Sequence, residues 1–340
     1  PILSNVLLNA TDGWLSITAT DQDVELIARE QTPGIVLPGK ITTSFRKLND
    51  ICKALPDGAE LRIEKQDDRM LIKAGRSRFV LATLPAENFP DVQQLSKDKA
   101  ICVFSVSKKQ FAWLVSRTAF AMAEQDVRYF LNGMLLEVKQ DKLISVAADG
   151  HRLAMNYIAL QDHNGAFARV IVPRKGVQEI MRIIDDIDGD LLFTVSSSHI
   201  QIQSAGVTVT SKLLDGKFPD YERVIPRDGN KVVIGEREKL KEAFHRASAL
   251  FSEKFRGVRL HMSPERMRVL ASNVEQDQVE EDLEVEYQGQ ELEVGFNIRY
   301  LLDFLSVVQS TLVKLQAIPM RNKGLIAGII ITIRMEKGSN

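Results

Sequence analysis

Three stretches of the chain share one order of apolar and polar positions. They run from Asn5 (NVLLNATDGWLSITATDQDVEL), from Gly133 (GMLLEVKQDKLISVAADGHRLAM) and from Gly257 (GVRLHMSPERMRVLASNVEQD). Each is an apolar run, a short polar turn and a second alternating run. Side chains alternate faces along a strand, so the pattern predicts pairs of half-buried strands. Leu15, Leu143 and Met267 coincide, as do Ala19, Ala147 and Ala271, then Asp21, Asp149 and Asn273. The offsets are 128 and 124 residues. A fixed offset of this size marks a repeat, and each copy is expected to be one structural unit.

Between these stretches the apolar period changes to that of a helix. Helices are expected over Ser44–Leu55, Ser107–Glu124, Pro173–Asp185, Arg237–Leu250 and Asn297–Val308. Shorter alternating runs predict strands at Leu61–Glu64, Met70–Lys73, Phe79–Leu84, Leu191–Val195, Ile200–Ser204, Leu312–Gln316 and Leu325–Arg334. Pro56-Asp57-Gly58 and Asp188-Gly189-Asp190 read as turns. Asn88-Phe89-Pro90-Asp91-Val92 closes the first unit and Lys217-Phe218-Pro219-Asp220-Tyr221 the second. The fold class is therefore α+β, with three helix-and-sheet domains at residues 1–98, 99–228 and 229–340. The ends depart from the repeat. The first unit has no counterpart of the opening strand and helix at residues 101–124, and the last residues of the third do not align.

Composition narrows the function classes. With 340 residues and 44% hydrophobic content, the chain has material for two or three folded cores and no mark of disorder. Its 44 basic and 45 acidic residues leave a net charge of -1, which excludes holding nucleic acid by bulk charge alone. Cys52 and Cys102 have no CxxC partner, and a reducing cytoplasm fits them. No run reaches the length of a membrane span.

The segment ADGHRL, Ala148 to Leu153, is where chemistry is first suspected. A hydrolase using Asp149 and His151 is one reading. Against it, the slot of Asp149 recurs as Asp21 and Asn273, and Asp and Asn at a strand end bond their own backbone. His151 and Arg152 have no counterparts in the other copies, so their role belongs to the middle unit. The five histidines have no metal-ligand spacing, and neither GxSxG nor GxxxxGK[ST] occurs. No enzyme activity, cofactor or metal is expected.

The helices carry basic residues on their polar faces: Arg46, Lys47 and Lys53; Lys108, Lys109 and Arg117; Arg174, Lys175 and Arg182; Arg237, Lys239, Lys241 and Arg246. One such helix is an ordinary solvated face. Placed alike by a repeat, several could form a positive lining that meets phosphates without reading bases. Acids such as Glu280-Glu281-Asp282 and Glu291–Glu293 would then lie on outer sheets.

Specific motifs give these features a family. They are Pro1-Ile2-Leu3-Ser4-Asn5, Gly75-Arg76-Ser77-Arg78-Phe79, Gln125-Asp126-Val127-Arg128-Tyr129, Leu131-Asn132-Gly133-Met134-Leu135, Asp149-Gly150-His151-Arg152-Leu153, Val172-Pro173-Arg174-Lys175-Gly176, Phe218-Pro219-Asp220-Tyr221 and Glu253-Lys254-Phe255-Arg256-Gly257-Val258. Over residues 1–316 the chain closely resembles the bacterial DNA polymerase III beta subunit family, the replication sliding clamps. The resemblance implies a homodimeric ring of six clamp domains, two half-rings with helices lining the bore. Duplex DNA threads the ring, which tethers the polymerase without catalytic activity. The implied partners are duplex DNA, the polymerase III alpha subunit, the clamp loader and other clamp-binding peptides, with no membrane.

The resemblance also assigns residues. A peptide pocket between the second and third domains would use Leu131, Gly150, His151, Arg152, Leu153, Pro219, Arg223 and Val224. Ala148 stands where threonine is usual. Gln125, Tyr129 and Phe130 would lie near DNA, joining Arg46, Lys47, Lys108, Arg117, Arg174, Lys175 and Lys241 of the helices. Arg76, Arg78, Ala249 and Leu250 would meet the second subunit. The family carries a strand and a helix ahead of Pro1, and its terminal Met-Pro-Met-Arg-Leu tail is met here by an early Ile318-Pro319-Met320-Arg321. The expectation is a chain truncated at the N-terminus and divergent at the C-terminus, with weakened ring closure. A clamp-derived module that binds peptides without encircling DNA is the alternative.

Overall fold

The computed structural model describes residues 2–90, 100–160, 167–187, 189–225, 231–251, 256–273, 275–317 and 329–330. The chain divides into two units, Pro1–Phe218 and Pro219–Asn340.

The first unit begins with strands β1 (Asn5–Thr11), β2 (Trp14–Thr20), β3 (Val24–Gln31) and β4 (Gly39–Ser44), helix α1 (Phe45–Ala54), and strands β5 (Arg62–Gln66), β6 (Arg69–Ala74) and β7 (Ser77–Ala82). It continues with β8 (Cys102–Ser107), α2 (Lys108–Ser116), β9 (Gly133–Lys139), β10 (Lys142–Ala148), β11 (Leu153–Ala159), β12 (Ala168–Pro173), α3 (Arg174–Ile184), β13 (Asp190–Val195), β14 (His199–Ser204) and β15 (Val207–Lys212). The second unit opens on the one-turn helix α4 (Tyr221–Val224). It then runs through β16 (Lys231–Glu236), α5 (Arg237–Ser248), β17 (Gly257–Ser263), β18 (Arg266–Ser272), β19 (Gln278–Glu284), β20 (Leu292–Asn297), α6 (Ile298–Val307), β21 (Leu312–Ala317) and β22 (Ile329–Ile330).

The repeat survives as register. β1 pairs β4 from Asn5↔Ser44, β9 pairs β12 from Gly133↔Pro173, and β17 pairs β20 from Gly257↔Asn297. In each case the second strand runs straight into a helix: α1, α3 or α6. The same alternation read from the sequence therefore sets which face of each sheet meets its helix.

In the first unit one antiparallel sheet, β4-β1-β2-β3-β15-β14-β13-β8, runs through both repeats. The seam is β15 against β3, from Val207↔Ala28 to Ser211↔Val24. A second sheet is β11-β10-β9-β12 and a third β5-β6-β7. The larger core gathers Phe104, Phe111, Leu114, Met134, Leu143, Val177, Ile180 and Phe193 around α2 and α3. A smaller one joins Val6, Leu8, Leu48, Met70, Ile72 and Leu81 under α1. Arg169, paired across the sheet with buried Glu137, also donates to the Phe218 carbonyl at 3.3 Å. That contact fixes the last residue of the first unit. In the second unit the sheets are β19-β18-β17-β20 and β16-β21-β22, with Leu240, Phe244, Ile298, Leu301 and Leu305 buried on α5 and α6.

Four expected helices match within two residues at either end. The helix expected over Ser107–Glu124 is the exception, since α2 stops at Ser116. Thr118 ends it: its hydroxyl lies 3.3 Å from the Leu114 carbonyl, 3.2 Å from that of Val115 and 3.0 Å from the Ser145 hydroxyl. A buried threonine that bonds the preceding turn in this way competes with helix continuation. Three residues of 3-10 helix follow at Ala119–Ala121.

Of the apolar C-terminal strand expected over residues 325–334, only Ile329–Ile330 lies among the described residues. It pairs antiparallel with β21. The Ile318-Pro319-Met320-Arg321 segment lies outside the described residues. Among the described residues no helix is long and apolar enough to cross a membrane, and no His/Cys/Asp/Glu group could hold a metal.

The expected acidic outer sheet is split between two faces. Glu280 and Asp282 of β19 pair with Arg266 and Arg268 of the neighbouring strand. Glu281, one register step on, faces the other way and takes both arms of Arg246 from α5 at 2.8 Å. Glu293 pairs with Arg259 at 3.4 Å.

Candidate docking and DNA-facing sites

The ADGHRL turn is built by Asp149. Its Oδ1 accepts the amides of His151 at 2.9 Å and Arg152 at 3.0 Å, and its Oδ2 accepts Arg152 Nε at 2.9 Å. Asp21 Oδ1 does the same for the amides of Asp23 and Val24, and Asn273 Oδ1 for those of Glu275 and Asp277. The repeated slot is thus a turn-forming one, as the chemistry of Asp and Asn predicts. Both Asp149 oxygens are engaged by the turn and by Arg152.

Arg152 is held on three sides. Besides Asp149 it donates to the Phe120 carbonyl at 2.8 Å, and its guanidinium lies 5.3 Å from the Phe120 ring centre. Leu131 is buried and Leu153 half-buried, while Gly150 and His151 are exposed. Gly150 has φ +88°, a left-handed backbone that suits glycine. A Cβ there would lie 2.5 Å from Arg128 Nη2.

Arg128 is the residue the sequence reading left unassigned. It donates to the Asp149 carbonyl at 3.3 Å and to both Asp126 oxygens at 2.9 and 2.7 Å. Asn132 braces the same loop, exchanging two 2.8 Å bonds with the Asp126 backbone. The available signal was its place in Gln125-Asp126-Val127-Arg128-Tyr129. The Arg128 side chain and amide hold the Asp126 carboxyl down to about 2. A depressed carboxyl contributes above its ordinary value of 3.8 and is lost as pH falls through about 2. Carbon-detected titration is expected to put the Asp126 midpoint near 2, and to show Arg128 clamped at every pH above 4. A midpoint near 3.8 would mean that the pair does not persist in solution.

Pro219, Arg223 and Val224 open the second unit. Arg223 pairs with Asp220 at 2.9 Å, and Val224 is exposed.

The candidate DNA-facing cations divide by what already holds them. Arg46 lies 4.0 Å from Asp50. Arg174 donates to the Met122 carbonyl at 3.0 Å and lies 3.9 Å from Glu124. Lys175 pairs with Asp21 of the preceding repeat. Lys47 and Lys241 have no ion pair among the described residues. Two more of these cations are engaged within the chain. Lys108 donates to the carbonyls of Asp185 and Ile187 at 2.8 and 2.7 Å, capping the C-terminal end of α3. Its charge serves those carbonyls, where a cation is favourable. Arg117 is 8% exposed, stacked 4.8 Å from the Trp113 ring centre, and burial pushes its pKa down. Its Nε has no partner. It belongs to the packing of α2 rather than to a solvated basic face. Among the uncharged candidates, Tyr129 is exposed beside Phe130, their rings 5.9 Å apart edge to face. Arg76, Arg78 and Ala249 are exposed and Leu250 half-buried.

Comparisons with known proteins bear on the whole chain. Family models of the DNA polymerase III beta subunit match in order. The N-terminal domain matches residues 1–93, the central domain 105–220 and the C-terminal domain 222–323. All three domains are thus represented. The chain is 48% identical over 308 residues to the beta sliding clamp of Pseudomonas aeruginosa, spanning 91% of this chain and 83% of that one. It is 44% identical over 309 residues to the beta sliding clamp of Escherichia coli K12, with the same coverage. The crystal structure of the Pseudomonas aeruginosa DNA polymerase III subunit beta superposes with a TM-score of 0.91 at 45% identity, over 98% of this chain and 90% of that one. A griselimycin-bound clamp from the same organism superposes at 0.88 with 44% identity, over 98% and 92%. The chain therefore belongs to the DNA polymerase III beta-subunit family, the bacterial sliding clamps, which are non-catalytic processivity factors of that polymerase.

Proposed function

We propose that two copies of this chain close into a ring around duplex DNA in the cytoplasm and there tether the polymerase III alpha subunit. The carrying observation is the recurring register that sends β4, β12 and β20 each into a helix. Helices placed alike against their own sheets suit a common bore. Arg46, Lys47, Arg174, Lys175 and Lys241, with Gln125, Tyr129 and Phe130, are the residues we assign to the DNA. Lys108 and Arg117 are left out because their groups are engaged in packing. Retention by topology needs little net charge, in keeping with the value of -1. Phosphate contacts of this kind are blind to sequence and weaken with salt.

Subunit pairing is assigned to two sheet edges of opposite sign. β7 is the edge strand beside Arg76 and Arg78, and β19 is the edge strand with exposed Glu280, Asp282 and Glu284. Ala249 and Leu250 close α5, which packs on β19. An edge of each sign on every copy supports head-to-tail pairing.

Partner peptides of the polymerase and the clamp loader are assigned to the ADGHRL wall. In the first unit that wall is Leu131, Gly150, His151, Arg152 and Leu153, with Arg128 added on its geometry. The part of Pro219, Arg223 and Val224 rests on the resemblance alone. An apolar surface with a few fixed polar groups suits a short peptide anchored by Leu or Phe.

Light scattering after size exclusion, over a range of concentrations, is expected to give twice the chain mass. The protein should then be retained on circular duplex and lost from the same duplex once linearised. A monomer at micromolar concentration, or equal loss from both DNA forms, overturns the ring. A monomer that still binds peptides would be a docking module instead.

A further inference from the structure

The turn-forming side chain of each repeat has a second polar atom to place, and the three repeats place it differently. Asp149 Oδ2 goes to Arg152 of its own turn. Asn273 Nδ2 donates to Asp277 of its own turn at 2.8 Å. Asp21 alone of the three sends its second oxygen to another repeat, where it pairs with Lys175 Nζ. Lys175 is the second residue of α3 and one of the cations assigned to the DNA. Both side chains remain close to half exposed, at 51% for Lys175 and 42% for Asp21. Asp23 and Glu179 add negative potential at the same ammonium.

We infer that Asp21 is an intramolecular counter-ion that competes with DNA phosphate for Lys175 and so weakens the grip of the clamp on the duplex. The inference rests on the assignment of Lys175 to the DNA. An ion pair this exposed is weak and exchangeable, so a phosphate can displace the carboxylate. A phosphate contact at Lys175 then begins with the loss of an internal one, which lowers its net gain. For a protein that must slide, a cation with a built-in competitor holds the duplex loosely at every step. The perturbed ionisations agree. Burial pushes the Asp21 carboxyl up, but Lys175 and the turn amides outweigh it and the group lies below its ordinary value. Lys175 is raised, chiefly by Asp21.

The variant that tests this is supplied by the repeat itself. Asn273 fills the same slot and likewise accepts two backbone amides through its Oδ1, those of the residues two and four on. Asp21→Asn should therefore keep the fold and lose only the charge, which a thermal melt checks. Binding of the protein to a fluorescent linear duplex is measured across a salt series for wild type, Asp21→Asn, Lys175→Ala and the double variant. Asp21→Asn is expected to tighten binding by about two- to fivefold, the range expected of an exposed pair. Lys175→Ala should weaken binding and reduce the salt slope by about one. In the double variant the gain from Asp21→Asn should vanish. A gain that persists with alanine at 175 is a general effect of net charge and overturns the inference. So does an unchanged affinity for Asp21→Asn while Lys175→Ala still weakens binding. If Lys175→Ala changes nothing, it is the assignment of Lys175 to the DNA that fails, and the inference with it.

Discussion

Asp149→Ala is expected to abolish tight peptide docking while leaving the protein folded. The carboxylate accepts two turn amides and the Arg152 guanidinium. Alanine removes all three acceptors. The amide of His151 is exposed and regains water at little cost, but Arg152 is half-buried against Phe120 and loses its ion pair with Asp149. Charged hydrogen bonds of this kind contribute about 1.5–3 kcal/mol each. A loss of about 1–3 kcal/mol in stability follows, too little to unfold a domain of this size. The docking wall is affected more. Gly150, His151 and Arg152 take their positions from the turn, and a wall displaced by about 1 Å costs roughly a hundredfold where fit is required. Fluorescence polarisation with a labelled Leu- and Phe-bearing peptide, read beside a thermal melt, separates the two effects. Asp149→Asn should fall between, because an Asn oxygen can accept two backbone amides without a charge, as Asn273 does. Wild-type affinity in Asp149→Ala would mean that the turn does not shape the docking surface.

The same turn marks how far the sequence could be read. Asp21, Asp149 and Asn273 shared a position, their residue type favours turns, and all three make one. Strand alternation and helical period were equally local, so β1, β9 and β17 fell where the pattern put them. The failures are all long-range. Nothing in Ser107–Glu124 said that Thr118 would meet Ser145, 27 residues on, and stop α2. Lys108 looked like a solvated cation because its acceptors, the carbonyls of Asp185 and Ile187, lie at the far end of another helix. Arg117 looked exposed because its helix period cannot reveal that it is buried and stacked on Trp113. Arg128 was in view within a quoted motif, but its contact with the Asp149 carbonyl appears only when two loops fold together. Periodicity reports which side of an element is covered. It does not report which charge is already engaged by another part of the chain, and for a protein whose cations define its function that second fact decides the site.

The largest loss of stability is expected from Phe193→Ala. Phe193 lies on β13 with no exposed surface. Its ring stacks on Phe104 at 4.8 Å and 5°, and meets Phe111 of α2 at 4.8 Å and 51°. Removing a fully buried ring costs about 3–5 kcal/mol, from lost transfer energy and the cavity left behind. Aromatic partners left without their contact add to it. In a unit of this size that is a fall of roughly 6–20 °C in melting temperature, at 2–4 °C per kcal/mol. The informative part is where the loss spreads. β13 is in the middle repeat, but its sheet continues through β14 and β15 into β3, β2, β1 and β4. Strands joined by a full ladder of backbone bonds tend to open together. Hydrogen exchange should therefore show the amides of Leu26 and Ile27 losing protection in step with those of Ile200 and Ile202. The amides of β17 and β18 in the second unit should keep theirs. If the first-repeat strands keep full protection in Phe193→Ala, the seam between β15 and β3 does not couple the two repeats, and each folds on its own core. Phe193→Leu, which keeps most of the apolar volume, should show the same spread at a smaller amplitude, and so separates coupling from simple collapse of the domain.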